Sequence, residues 1–172
     1  MGSERLRVLS ASGQLGFGIV QESLERGLQR KPHFIGCDMG SIDPGPYYLG
    51  SGQMAAPKDM VLRDLELVLL AARQLDIPLI IGSAGTAGAK PHLQATLALL
   101  AEVARDLRVS IKVATVASDV SADLLVQARE QGRDHPGNDS QKEQRVAGVA
   151  GQLLQRGGNG QSRHGGAWDV SN

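Results

Sequence analysis

The sequence predicts an α/β protein, a doubly wound parallel sheet of about four strands with a poorly ordered tail at its carboxyl end. Three observations carry this prediction. Short apolar runs alternate with segments of helical period in the order β-α-β-α-β-α-β-α across residues 5–132, and that alternation implies parallel strands joined by right-handed crossovers. The run "IPLIIGSAG" (77–85) is apolar almost without a break, as in a parallel strand covered on both faces. The first three strand-like runs each lead into a glycine-rich loop, the usual junction between a strand and the helix that follows it.

The elements follow in order. "LRVLSAS" (6–12) reads as the first strand. In "FGIVQESLERGLQRK" (17–31), Ile19, Val20, Leu24 and Leu28 recur at helical spacing, and Pro32 ends that helix. "HFIGCDM" (33–39) is the second strand. Pro57 occupies a first-turn position, and Leu62, Leu65, Val68, Leu69 and Ala72 form one apolar face of a helix over 60–75. After the third strand (77–85), "HLQATLALLAEVARDL" (92–107) is a helix and "VSIKVATVA" (109–117) a fourth strand. The last helix, 121–132, has Ser121 as its N-cap and Gly132 as its C′ residue. A flavodoxin-like or Rossmann-like sheet of order 2-1-3-4 accommodates these elements. Residues 133–172 are rich in glycine, glutamine and arginine. They read as a mobile or loosely docked tail, or as a non-native continuation, with a weak helix over 145–156.

The totals bound the function. With 172 residues the chain suits a single domain able to bury a core. Lysine plus arginine and aspartate plus glutamate both number 18, so nothing favours nucleic acid or an anionic membrane, and charge repulsion does not oppose a homo-oligomer. Cys37 is the only cysteine. This excludes an internal disulfide and a thiolate zinc cluster, and fits a reducing cytoplasm. No apolar run has the length of a signal peptide or a membrane span. No cofactor is required by the sequence, and no residue set is assigned to a metal.

Parallel strands deliver their following loops to one edge, where ligands bind. The three loops concerned are "SASGQLGFG" (10–18), "CDMGSIDPGPYYLGSG" (37–52) and "GSAGTAGAKPH" (82–92). Glycine lets the backbone approach a ligand, and a helix N-terminus favours an anion. The expected ligand is therefore a small anionic molecule. Its contacts would come from Ser12, Gly13, Gly40, Ser41, Tyr47, Tyr48, Gly82, Gly85, Thr86 and Lys90. "GQLGFG" (13–18) is not the dinucleotide fingerprint G-x-G-x-x-G, and there is no phosphate-binding G-x-x-x-x-G-K-[ST].

Four residues are candidates for catalysis. Asp38 and Asp43 end the second strand or follow it, where a carboxylate serves as a general acid or base, ligates a metal, or simply forms a turn; Asp43 precedes Pro44, as in an Asx-type turn. His92 follows Lys90 and Pro91 at a helix start, and is either a base facing the same hollow or a solvent-facing first-turn residue. Ser83, in G-S-A-G, does not form the G-x-S-x-G nucleophile elbow, though a hydroxyl there can still bind or attack. Cys37 reads as a small buried hydrophobe. His33 opens a strand, and His135 and His164 show no metal-ligand spacing.

Two long passages resemble the N-terminal region of the acyclic terpene utilisation protein A family. The first matches at Asp38, Gly40, Ser41, Asp43, Pro44, Gly45, Pro46, Tyr48, Leu49, Gly50 and Gly52. The second matches at Gly82, Ser83, Ala84, Gly85, Ala87, Gly88, Pro91 and His92. The resemblance spans roughly residues 5 to 120 and stops before the tail. Family members are much longer, so it implies that this chain corresponds to their first α/β segment. It also implies a link to the catabolism of branched acyclic terpenoids and related carboxylic acids. Three functions remain open on the residues: an enzyme of a lyase, hydratase or hydrolase type acting on a small organic acid, ester or thioester; a non-catalytic anion-binding or self-associating module; and a nucleotide-binding oxidoreductase domain, which the glycine spacing disfavours.

Overall fold

The longest amphipathic segment in the chain builds the helix on which the other elements pack. In the computed structural model, which describes residues 5–41, 45–133 and the backbone of 167–170, helix α3 runs Lys58–Leu75. We label the other elements in chain order: β1 (Val8–Ser10), α1 (Gln21–Leu28), β2 (Phe34–Asp38), α2 (Tyr47–Ser51), β3 (Leu79–Gly82), α4 (Lys90–Asp106), β4 (Ile111–Ala114), α5 (Ala122–Glu130) and β5 (Ala167–Val170). Val61, Leu65, Val68 and Ala72 lie four, three and four residues apart and are buried along one face of α3. Val61 takes the place expected of Leu62, which is half-buried. Pro57 stands just before the first turn, with φ −60° and ψ 141°.

β1, β2 and β3 form a parallel sheet in the order β1-β2-β3. Val8 pairs with Phe34, Ile35 with Leu79 and Cys37 with Ile81. The expected order 2-1-3-4 is thus corrected: β2, not β1, is flanked on both sides. The physical reason lies in the crossovers. Two right-handed crossovers that step in the same direction leave both their helices on the same face, and α3 does pack against α1 and also against α4. Side chains of that face enter the core: Ile35 and Cys37 are buried, with Leu9, Leu79 and Ile81 packed against them. On the opposite face Val8 and Ile80 are each 53% exposed.

The expected four-stranded, doubly wound sheet is therefore three-stranded and covered on one face among the described residues. The uninterrupted apolar run of the third strand suggested two buried faces, yet β3 alternates between half-buried and exposed positions. The open face carries its apolar residues to the surface. β4 pairs with β5 in a separate two-stranded sheet. The chain divides after Val113: β1–β3 and α1–α4 belong to one compact unit, and α5 to another.

Within its own unit, α5 has the N-cap expected of it. The Ser121 hydroxyl accepts the Leu124 N–H at 3.3 Å, and Gly132 has φ +62° beyond the last turn. In the first unit α1, α3 and α4 close differently, each through a non-glycine residue in the left-handed region: Lys31, Asp76 and Arg108, at φ 50–55°. The tail expected from residue 133 lies, beyond Arg133 and apart from β5, outside the described residues, as do the helix over 145–156, His135 and His164. No helix among the described residues is long and apolar enough to cross a membrane.

Burial sets the chemistry of the one thiol. Cys37 sits on the core side of β2, and desolvation raises its pKa from 9.0 to about 11, against a lowering hydrogen bond with the Ala11 backbone and with a small further rise from Asp64. Its contribution to stability is fully present below the unfolded value of 9.0 and is lost as pH rises toward the folded value of about 11. The urea midpoint is therefore expected to fall between pH 9 and 11 more steeply in the wild-type protein than in Cys37→Ala. An identical slope in the two proteins would contradict the buried thiol.

Candidate functional site

The three loops meet at the carboxyl edge of the sheet, but they are not equally available to a ligand. The first is filled from inside. Asp64, wholly buried in the middle of α3, accepts the N–H groups of Gly16 and Gly18 on Oδ2 at 2.9 and 3.0 Å, and that of Ile19 on Oδ1 at 3.0 Å. Arg63 completes the arrangement. Its Nη1 donates to Asp64 Oδ1 at 3.0 Å and its Nη2 to the Ile19 carbonyl at 3.2 Å. Successive amides turned toward one carboxylate form the concave nest that elsewhere receives phosphate. Here a side chain of the same chain occupies it.

That geometry explains the glycines. Gly16 and Gly18 have φ +98° and +100°, a region closed to most side chains. A Cβ on Gly16 would also stand 2.7 Å from Ala56 Cβ and 2.9 Å from Val61 Cγ2. Gly13, in contrast, is exposed and has open space where a Cβ would be. Ser12, beside it, has a buried hydroxyl with no hydrogen-bond partner. The loop is fastened to β2 as well: Leu15 N–H donates to the Asp38 carbonyl at 2.6 Å.

The second and third loops form one continuous surface. A Cβ on Gly40 would collide with Ser83 Cβ and stand 2.5 Å from the Thr86 carbonyl oxygen, so the chains cross there in contact. Asp38 is exposed at the end of β2, and its Oδ1 accepts the Gly40 N–H at 3.0 Å, an Asx turn. Ser41 follows, half-buried. Asp43 lies outside the described residues. Gly82 ends β3, its carbonyl accepting Met39 N–H at 3.0 Å. Ser83 is exposed with φ 48°, and Lys90 is exposed at the start of α4.

Thr86 is the most strained of these residues. It has φ 92° and is 5% exposed, and a β-branched residue in that region costs of the order of 1–3 kcal/mol. Two hydrogen bonds hold it: its N–H donates to the Ser83 carbonyl at 3.1 Å, and its Oγ1 accepts the Ala55 N–H at 2.8 Å. Thr86 thus clamps the third loop to the segment leading into α3.

His92, like Asp64, is a buried titratable group at this edge. It is 0% exposed, in the first turn of α4. Its Nε2 lies 2.9 Å from the Tyr48 carbonyl oxygen. A carbonyl only accepts, so Nε2 carries the hydrogen, and in the neutral ring Nδ1 presents a lone pair. That Nδ1 is buried and has no partner, a deficit worth about 1–3 kcal/mol. The backbone of Gly85 passes so close that a Cβ there would stand 2.7 Å from the His92 carbonyl oxygen, and its φ is +64°. The alternative of a solvent-facing first-turn histidine is thereby corrected: the turn packs beneath the third loop. Among the described residues no hydrogen bond joins Ser83 to His92.

The tyrosines belong to α2, a short helix in a stretch that sequence reasoning treated as loop. Tyr47 and Tyr48 meet edge to face, with ring centroids 5.1 Å apart. Tyr47 is exposed and Tyr48 half-buried. Sequence reasoning also missed Asp64. The available signal was a carboxylate between Val61 and Leu65, in the middle of an apolar helical stripe. Among the described residues no group of three or more histidine, cysteine, aspartate or glutamate side chains is placed to hold a metal ion.

Comparison with protein-family models, with curated proteins and with solved structures finds no match to this chain.

The Asp64 arrangement yields a direct test. Asp64→Asn keeps the shape of the side chain but replaces one acceptor oxygen by a donor facing buried amides. The expected loss is about 3–5 kcal/mol of unfolding free energy, read from urea denaturation. A change within about 0.5 kcal/mol, the range of an ordinary surface substitution, would show that the loop does not depend on the carboxylate.

Proposed function

We propose that this chain is a small-molecule enzyme, or part of one, acting on a small organic acid, ester or thioester in the cytoplasm. The observation that carries the proposal is the enclosed His92, whose Nδ1 is buried without a hydrogen-bond partner. A buried base without a partner has a stability cost and no structural return at that atom, as is common where a residue serves chemistry. The ligand's carboxylate would rest on Ser41, Ser83 and the amides of residues 83–88, near the start of α4, with Lys90 supplying charge. Asp38, Asp43 and His92 would move protons, as in a lyase or hydratase. In a hydrolytic version His92 would activate water or Ser83. The first loop, whose amides already serve Asp64, takes no part in holding the anion. The same engagement weighs against a nucleotide there.

Resemblance to the acyclic terpene utilisation protein A family supplies the substrate context for this proposal, namely branched acyclic carboxylic acids and their thioesters. Its two motifs coincide with the second and third loops, the pair that touch at Gly40, Ser83 and Thr86. The assay is a panel of esters, lactones, hydroxy acids and acyl thioesters. Turnover is expected on at least one class, with kcat/KM reduced about 10²–10⁴-fold in Asp38→Ala and in His92→Gln while far-ultraviolet circular dichroism is retained. Turnover that survives both substitutions would remove these residues from the chemistry. No turnover on any member would favour the second reading below.

That second reading is a self-associating module, and the open sheet face favours it. Leu6, Val8 and Ile80 are exposed, and the Phe34 ring lies across Gly36 on the same side. Asp38, the charged residue that β2 places on this side, stands at the carboxyl end of the strand and exposed, so two copies can bring the apolar part of the face together without burying it. Light scattering is expected to give a dimer at micromolar concentration, converted to monomer by Ile80→Lys. A wild-type protein that is monomeric at that concentration excludes this mode of association.

A further inference from the structure

We propose that α2 is a glycine-hinged lid over His92, latched by the hydrogen bond from His92 Nε2 to the Tyr48 carbonyl. Four observations meet at this segment. First, α2 has no buried residue, with Tyr47 and Leu49 62% and 57% exposed. Second, it is bounded by two left-handed glycines, Gly45 at φ +65° and Gly52 at φ +70°. Third, the chain just past Gly52 is held in place, because Ala55 N–H donates to Thr86 Oγ1 at 2.8 Å, so motion is confined to the glycine rather than shared with α3. Fourth, of the hydrogen bonds between described residues, the one from His92 at 2.9 Å is the one that ties α2 to an element distant in sequence.

The closed arrangement has a built-in defect. It encloses the histidine completely and leaves Nδ1 without a donor. Opening the lid releases Nε2 from the Tyr48 carbonyl, so that it can donate to water or to an accepting oxygen of a ligand. A ligand that accepts from Nε2 favours the open form in proportion to its preference for that state.

The inference concerns access to His92 and is tested without turnover, so it stands or falls separately from the proposed activity. The probe is diethyl pyrocarbonate, which acylates imidazole, with modified histidines located by peptide mapping and His33 as the internal control outside the lid. His92 in the folded wild-type protein is expected to be acylated at a rate unchanged by low urea, since a local opening exposes little new surface. Gly52→Ala adds only ordinary contact to Pro91, at 3.7 Å, but strains the left-handed φ of the closed form. It is expected to raise the rate about tenfold. Hydrogen exchange should find the amides of 47–52 about 100-fold less protected than those of 95–104 in α4. Acylation that rises with urea in step with global unfolding, or equal protection of the two segments, overturns the lid. The wild-type measurements decide this even where Gly52→Ala does not fold.

Discussion

A single buried carboxylate sets the shape of the edge where this protein's loops gather. Asp64 reaches from α3 into the first loop and takes three backbone N–H groups that would otherwise point at nothing. A buried carboxylate is tolerated only when its oxygens are satisfied and its charge is matched. Here the amides satisfy them and the half-exposed Arg63 matches the charge. The rest follows from this knot. It holds the first loop against Ala56 and Val61, requires glycine at 16 and 18, and spends the amides that a phosphate would need. The second and third loops lean on each other instead.

Much of the fold was legible in the sequence because it rests on periodicity. α3 and α4 declare themselves through long stripes of leucine, valine and alanine. Ser121 and Gly132 mark the ends of α5 by local capping chemistry, which no tertiary contact has to supply. The arrangement of strands was less accessible. Val8, Ile35 and Ile80 are equally apolar as letters, yet Ile35 is enclosed while the other two face outward. Composition does not record which side of a sheet a crossover returns on, so neither the order of the strands nor the bare face could be read. Short α2 escaped notice because glycine and proline frame it on both sides, and those residues normally advertise a turn.

The site was legible in position more than in role. Topology alone places Asp38, Ser83 and His92 at one edge. The sequence could not say that Asp38 turns one oxygen back on Gly40, that Ser83 is held in the left-handed region, or that His92 is enclosed. Each of these depends on backbone passing within a few ångströms of backbone, at Gly40 against Thr86 and at Gly85 against His92. Glycine in such places is a steric requirement set by a partner far along the chain, and its letter is the same as that of a glycine in an open turn such as Gly13.

The separation between Asp64 and its partners has a consequence for how the protein is made. The carboxylate stands 45 to 48 positions after the amides it receives. A nascent chain emerging from the ribosome presents its first strand, glycine loop and first helix well before the acid that organises them. Until α3 has left the exit tunnel, those amides have only water to bind, and the opening β-α-β unit has no means of reaching its mature form alone. Vectorial synthesis therefore meets a waiting period here, and the first fifty or so residues are a poor choice for an autonomous fragment.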